Sequence, residues 1–437
     1  MTAAAGLRFR FSGRLAEVDE ADRTRLLART SLVDPAIRTV VSAIIERVRS
    51  GGDSALRELA IELDGVALDE LEVPARRIES ALNRLSPGLR SAMSRSVANL
   101  ERVHGAFIPV ATQVEVEPGV TVGRRPDPLD RIGVYAPGGS AAYASSVLMG
   151  AVPARSAGVR EIILCSPPGP DGFPADVVLA AAGIAGVDRV FSLGGAGAIA
   201  AMALGTGTVP RVDRIVGPGN AYVAEAKLQL TGSVGIDSPA GPSELLIIAD
   251  ENANADCIAR EAIAQAEHDA RAIVVVLGVG QGTAARIEEA ITRAAQQAPR
   301  RDTIIQSFAG NGGVLEVENV DAAIAASNLF APEHLLIATS NPDGVLPLIR
   351  NAGTVFLGET SSVAFGDYVT GANHVLPTGG LARSYSGLST LDYFRWTTYQ
   401  RVSRDGAMSL ADDATAFAES EGLPSHAAAA RAAGMDQ

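Results

Sequence analysis

The chain has 437 residues, 47% hydrophobic and 20% charged, with 45 glycines and 23 prolines. Its length exceeds one ordinary domain, and its composition excludes a disordered, collagen-like or coiled-coil protein. A formal charge of -13 would repel a phosphate backbone or an anionic membrane surface, so small molecules are the expected partners, and nucleic acid and membrane are not.

The first residues, MTAAAGLRFRFSGRLAEVDEADR, contain no apolar secretory core, and no run of about 18 apolar residues occurs anywhere. Two cysteines, Cys165 and Cys257, stand in unrelated contexts and build neither a disulfide framework nor a thiolate metal site. A cytoplasmic protein is expected. Residues 1 to about 130 read as mostly helical: DPAIRTVVSAIIERVRSGG has apolar positions at helical spacing and stops at Gly51-Gly52, and ALRELAIELDG follows in the same period.

From Arg131 the pattern changes to short apolar strands, each followed by a Gly- or Pro-marked turn and an Ala-rich helix. RIGVYAPGG, EIILCSPP, RVFSLGG and RIVGPGN are the strand and turn segments, and together they predict a parallel, doubly wound sheet with ligand loops at the strand C-terminal ends. After IDSPAGPSE a second α/β unit follows, with strands at ELLIIAD, AIVVVLGV, GGVLEVEN, HLLIATS and TVFLGE. Beyond about residue 388 the chain turns polar and helical and ends near EGLPSHAAAARAAG, a small C-terminal helical domain.

The chemistry-bearing candidates are few. Of five histidines, His104 in NLERVHGAF reads as an ordinary helix-end residue. Gln265 and His268 in IAQAEHDA are three apart on a predicted helix, so both project from one face and could share one ion. Asp367 in AFGDY and His426 in EGLPSH offer a carboxylate and an imidazole that could complete an N/O shell, although spacing alone does not bring them together. Glu333 and His334 in FAPEHLLI are adjacent where a strand begins; neighbouring strand residues point oppositely, so at least one lies outside regular strand. Gly195, Gly197 and Ala200 in GGAGAIAA satisfy a permissive G-x-G-x-x-A dinucleotide spacing, against the alternative of a tight-packing turn. VYAPGGSAAY and VGPGNAY are further turns suited to close backbone approach by a ligand. All but one of the 37 basic residues are arginine; the exception, Lys227, is a candidate for a place that needs a compact ammonium.

RIGVYAPGG, VGPGNAYVAEAK, IDSPAGPSE, QAEHD, PEHL, GDYVTGANHVLPTGG and EGLPSH, in this order over nearly the whole chain, resemble the motifs of histidinol dehydrogenase. The resemblance implies zinc-dependent, four-electron oxidation of L-histidinol through histidinaldehyde to L-histidine with two NAD+, the last steps of histidine biosynthesis. It implies zinc on Gln265, His268, Asp367 and His426, and an acid/base pair at Glu333 and His334. Substrate contacts fall on Ser243, His374 and Glu421 together with the zinc residues and His334, and NAD contacts on Tyr135, Gly197 and Asn220, where Gly197 replaces the family's usual glutamine. The implied fold has two Rossmann-like domains, one inserted in the other, with small helical terminal domains exchanged in a homodimer, so that Glu421 and His426 come from the partner chain. Mapped here, the division is an arm over 1–29, a first domain of 30–134 plus 243–388, an inserted NAD domain over 135–242, and an exchanged domain over 389–437. Two alternatives stand beside this reading: a paralogous zinc and NAD alcohol dehydrogenase acting on an anionic alcohol such as sulfopropanediol, and a non-catalytic binding subunit. A carboxylate at Glu421 suits an amine and opposes a sulfonate.

Overall fold

A computed structural model describes residues 7–27, 29, 35–138 and 142–435, and the statements below concern these. Three strands precede the first apolar run: β1 (Phe11–Arg14), β2 (Thr112–Glu117) and β3 (Val120–Pro128). Helices cover most of the described residues up to 130, as expected, and these three strands are the part that the expectation lacked. β2 and β3 form an antiparallel hairpin around Pro118-Gly119, where Gly119 has φ 78, and their period-2 alternation is that of an exposed ribbon.

From Arg131 onward every expected strand forms: β4 (Arg131–Tyr135), β5 (Glu161–Ser166), β6 (Arg189–Ser192) and β7 (Arg214–Val216), followed by the short β8 (Gly235–Ile236). The second series is β9 (Glu244–Ala249), β10 (Ile273–Val279), β11 (Gly313–Val317), β12 (His334–Ala338) and β13 (Thr354–Leu357). The first series makes a parallel sheet in the order β6-β5-β4-β7-β8, and the second, with β1 added at its edge, makes β1-β11-β10-β9-β12-β13. In each, the first strand in sequence lies between its second and fourth, so the winding direction reverses beside β4 and beside β9. The continuous apolar runs explain this burial: β9 is fully buried along its length because helices cover both faces of the sheet.

The first long helix, Pro35–Leu59, is kinked at Gly52 (φ 52), where the sequence predicts a stop. Its apolar stripe, with Val41, Ile45, Val48 and Leu56, shares a core with Tyr135, Ile163 and Phe191 of the five-stranded unit. Ala75–Arg84 packs on Asp176–Ala185, and Pro87–Ala106 packs on Ala144–Ala157. The expected grouping of 30–134 with 243–388 is therefore corrected: the described helices between 35 and 106, and β4 itself, belong to the five-stranded unit. The N-terminal arm joins the six-stranded unit through Phe9, Phe11 and Leu26, and the helix Pro87–Ala106 also reaches it, with Ser96 Oγ and Asn99 Nδ2 donating to the Tyr368 and Val369 carbonyls at 2.6 and 2.7 Å.

The C-terminal block is not wholly helical either. β14 (Phe394–Val402) pairs antiparallel with β3, and the helices Arg404–Ser420 and Pro424–Gly434 pack on one another beyond it. None of the described helices is long and apolar enough to cross a membrane.

His104 sits near the end of the helix Pro87–Ala106, 2% exposed, with neither ring nitrogen hydrogen-bonded among the described residues. Burial lowers its pKa to about 4, so the folded chain holds it neutral while the unfolded chain protonates it near its ordinary value. Stability is then intact above about pH 6.5 and falls as the pH drops toward 4, by up to about 3 kcal/mol. Replacing His104 by Leu is expected to flatten that decline, measured as the difference in melting temperature between pH 7.5 and pH 5. An unchanged difference would show that this imidazole does not contribute.

Candidate active site

The C-terminal ends of β4 and β7 and the N-terminal ends of β9 and β12 border one cavity of about 550 Å³. Pro137 and Gly138 follow β4, and Pro218, Gly219 and Asn220 follow β7, so this side of the cavity is the winding-reversal crevice of the five-stranded sheet, where open α/β sheets bind ligands. Ser243, Glu333 and His334 enter from the other side, at the beginnings of their strands. In the six-stranded sheet the opposite ends of β9 and β12 are tied together instead: Ser340 N–H and Oγ–H donate to Asp250 at 2.6 and 2.7 Å.

The two halves are held in register by the loop after Asp367. Asn373 Nδ2 donates to the Met149 carbonyl at 2.8 Å, and His374 Nε2 lies 3.1 Å from Ser146 Oγ. His374 Nδ1 lies 3.0 Å from the Asp367 carbonyl. Burial lowers the His374 pKa, with Asp367 pulling the other way. Ser146 carried no sequence signal beyond its place at the start of a helix.

β12 starts at His334 and Glu333 precedes it, so the pair escapes strict strand alternation as expected. His334 is 4% exposed; Nδ1 lies 3.0 Å from the Glu244 carbonyl and 3.4 Å from Glu333 Oε2. Its Nε2 is 3.4 Å from Asp367 Oδ1, buried, and without a hydrogen-bond partner among the described residues. Burial alone would lower the proton affinity of this imidazole, but the carboxylates of Glu333 and Asp367 outweigh it and raise the pKa well above the ordinary value. For Asp367 the balance is the reverse: burial raises its pKa, but the close approach and charge of His334 leave it lowered.

Gln265 and His268 line the same cavity as Asp367. The helix carrying Gln265 ends at Ala266, so His268 stands on the turn beyond it and not on a shared helical face. An amide, an imidazole and a carboxylate form an N/O donor set, beside the imidazole of His334 in the same cavity. Among the described residues, no group of three His, Cys, Asp or Glu is arranged to hold a metal. His426 lies in the first turn of Pro424–Gly434 and Glu421 at the end of the preceding helix, both exposed and neither lining the cavity.

The cofactor candidates divide. Asn220 lines the cavity and caps the helix Ala221–Leu230 by accepting from Tyr222 N–H and Val223 N–H at 3.0 and 3.2 Å. Tyr135 is 2% exposed, and its hydroxyl accepts from Gly195 N–H at 3.0 Å. Gly197 is buried within Gly195–Leu204, and a Cβ there would meet Leu59 at 3.4 Å and Leu56 at 3.7 Å. Neither Tyr135 nor Gly197 lines the cavity. The G-x-G-x-x-A spacing at Gly195, Gly197 and Ala200 follows β6, the edge strand two places from β4. The turn that does reach the crevice follows β4, the VYAPGG segment.

Lys227 finds the place that its rarity suggested. It is buried, and its Nζ donates to Gly217 O and to Asp237 Oδ1, both at 2.6 Å, while Asp237 Oδ2 accepts from Gly217 N–H at 2.7 Å. Gly217 has φ 113, and any Cβ would lie 2.1 Å from Tyr135 O, so the VGPGN turn requires glycine and is clamped there on both sides of its peptide. Cys165 is 0% exposed with its thiol pKa raised by burial, which leaves no thiolate at the site.

Residues 27–433 match the family model described as histidinol dehydrogenase. The chain is 45% identical over 419 residues to a histidinol dehydrogenase of Methanosarcina barkeri, with 96% of each chain covered. It is 44% identical over 414 residues to one of Methanothermobacter thermautotrophicus, covering 95% of this chain and 97% of the relative. The fold is similar to the crystal structure of histidinol dehydrogenase from Elizabethkingia anophelis, with a TM-score of 0.93, 33% identity and 99% of each chain covered.

Proposed function

The chain belongs to the histidinol dehydrogenase family, and from that premise we propose that it oxidises L-histidinol to L-histidine through histidinaldehyde, with two NAD+ and a zinc ion, at a site shared between two chains. As an enzyme of that family it is an oxidoreductase of histidine biosynthesis. The observation that carries the finer reading is the convergence of Glu333, His334, Ser243, Gln265, His268, Asp367 and His374 on one cavity at the crevice of the five-stranded sheet.

Gln265, His268 and Asp367 would hold the zinc, with His426 of a second chain as the fourth ligand. Bound there, zinc would hold and orient the nitrogen groups of the amino alcohol and act as a Lewis acid. The alcohol carbon releases hydride only as its hydroxyl proton leaves, and His334, as the neutral imidazole with Nδ1 held by the Glu244 carbonyl, would receive that proton at Nε2. The hydride acceptor would be a nicotinamide in the crevice beside Asn220, with the remainder of the dinucleotide extending past Gly138. Gly138 also borders a neighbouring cavity of about 490 Å³ beyond β5, which gives an elongated molecule room.

The aldehyde has no hydride to give until it is hydrated. Glu333 would take a proton from water as its oxygen adds to the carbonyl carbon, giving the gem-diolate, and a second hydride and a further proton then leave the carboxylate product. The balance is one histidinol, one water and two NAD+ giving histidine, two NADH and three protons.

Sharing of the site rests on what the C-terminal block leaves open. All of β2 is exposed, with Val114 at 62% and Val116 at 55%, and Phe417, four residues before Glu421, is 73% exposed. Burying these groups against a second copy would also carry Glu421 and His426 toward its cavity.

The test is NADH counting with the zinc-loaded protein. Two NADH per L-histidinol are expected; no turnover of histidinol together with oxidation of dihydroxypropanesulfonate would assign the anionic alcohol instead. Replacing Glu333 by Gln is expected to leave the first hydride transfer within a few-fold and slow oxidation of supplied histidinaldehyde by about 10²-fold. Equal loss in both half-reactions would contradict the division of labour.

A further inference from the structure

We propose that Glu244 is a positioning residue that sets the Glu333–His334 pair, and that Arg29 of the N-terminal segment holds Glu244 in place. The proposal rests on the reading of Glu333 and His334 as the acid/base pair.

Glu244 opens β9 and His334 opens the neighbouring β12, in parallel register with His334 opposite Leu245. At this double strand entry the two glutamates exchange hydrogen bonds: Glu244 N–H donates to Glu333 Oε2 at 2.7 Å, and Glu333 N–H donates to Glu244 Oε2 at 3.4 Å. Gly379 N–H donates to the other carboxylate oxygen, Oε1, at 2.9 Å. The Glu244 carbonyl lies 3.0 Å from His334 Nδ1, so Nδ1 is the nitrogen that donates there, and Nε2, 3.4 Å from Asp367 Oδ1, is the one left to exchange a proton. One residue therefore orients the Glu333 carboxylate through its N–H, orients the His334 ring through its carbonyl, and ties the Glu333 backbone to the Gly379 turn through its side chain.

Glu244 does none of this by touching a ligand: it is 1% exposed and does not line the cavity. A buried carboxylate needs compensation, and Arg29 supplies it. Its Nη2 is 3.4 Å from Glu244 Oε2 and donates to the Phe330 carbonyl, and its guanidinium lies 3.2 Å from the Phe330 ring centroid. Burial pushes the Glu244 carboxyl up to about 7, and Arg29 pulls against that rise. Burial likewise lowers the Arg29 pKa to about 10, with Glu244 opposing it, so Arg29 stays charged. The carboxylate is specifically suited because it offers an acceptor on each oxygen. An amide in its place offers one acceptor and turns an N–H toward one of the two backbone donors.

The test uses full-length, zinc-loaded protein carrying Glu244→Gln, Glu244→Ala, Arg29→Gln or Arg29→Gln with Glu244→Gln. In Glu244→Gln we expect kcat on L-histidinol to fall about 10²-fold, the scale on which small misplacements of a catalytic group act. KM for NAD+ and zinc content stay near wild type, because the cofactor crevice and zinc donors are on other elements, while melting temperature falls because Arg29 loses its buried partner. Arg29→Gln falls in the same direction, and the double variant is no worse than Glu244→Gln alone, since both act through one contact. Unchanged kcat in Glu244→Gln and Glu244→Ala would overturn the proposal. So would a loss that tracks melting temperature, zinc content and KM for NAD+ together, which marks a merely structural role. If Glu333→Gln and His334→Asn themselves retain full activity, it is the underlying reading of the pair that fails.

Discussion

Replacing His334 by Asn is expected to lower kcat for NADH formation from L-histidinol by about 10³-fold, within the range that a general base contributes, while the protein stays folded. Asparagine can still donate from its amide to the Glu244 carbonyl, which now receives Nδ1 at 3.0 Å, so the strand entry keeps its hydrogen bond. What disappears is Nε2, the buried nitrogen without a partner among the described residues that faces Asp367 at 3.4 Å. Steady-state kinetics with a melting curve checks this. A loss below tenfold would mean that another group removes the hydroxyl proton.

The largest effect on stability is expected at Lys227. Changing it to Met leaves Asp237 buried without its cation, at a cost of about 3–5 kcal/mol, and neutralising Asp237 as well, in Lys227→Met with Asp237→Asn, returns much of that loss. The clamp holds both sides of the Gly217 peptide, immediately before Pro218, Gly219 and Asn220 at the cavity. The single variant is therefore also expected to raise KM for NAD+ more than KM for histidinol. Chemical denaturation and the two KM values measure this. A single variant as stable as wild type, or a double variant less stable than the single one, would show that the pair does not hold the turn. Arginine is not expected to substitute, since its planar fork does not fit between two acceptors that the compact ammonium meets at 2.6 Å each.

The parts of the fold that could be read from sequence were those whose burial is complete. LLIIA, IVVVLGV and IILC are apolar runs, because helices cover both faces of a parallel sheet, and their strands lie where expected. TQVEVE and FRWTTYQRV belong to an antiparallel ribbon largely open to solvent; without a buried face their alternation passed for polar helix. The attachment of the helices between 35 and 106 depends on contacts between residues far apart in the chain, which local periodicity does not encode.

The candidate site divides in the same way. Gln265, His268, Asp367, Glu333, His334, Ser243, His374 and Asn220 share a cavity, whereas Glu421 and His426 lie on a C-terminal block directed elsewhere. The turn at Gly197 fits a dinucleotide spacing, but that its strand lies at the edge of the sheet was invisible in the motif. Glu244 went unremarked, yet a charged residue abutting a fully buried strand was a signal: such a group must be paired, and here its partners are Arg29, Gly379 and Glu333.

The central claim is that a working site needs Glu333 and His334 from one chain and His426 from another, and mixing two inactive variants tests it most directly. His334→Asn and His426→Asn proteins, each inactive alone, are unfolded together, refolded at equal concentration with zinc, and assayed with L-histidinol and NAD+. A shared site predicts recovery of about a quarter of wild-type activity, because half the random dimers are mixed and each mixed dimer carries one intact site of two. Activity no greater than that of the separate variants, with mixed dimers demonstrated by mass, would contradict it.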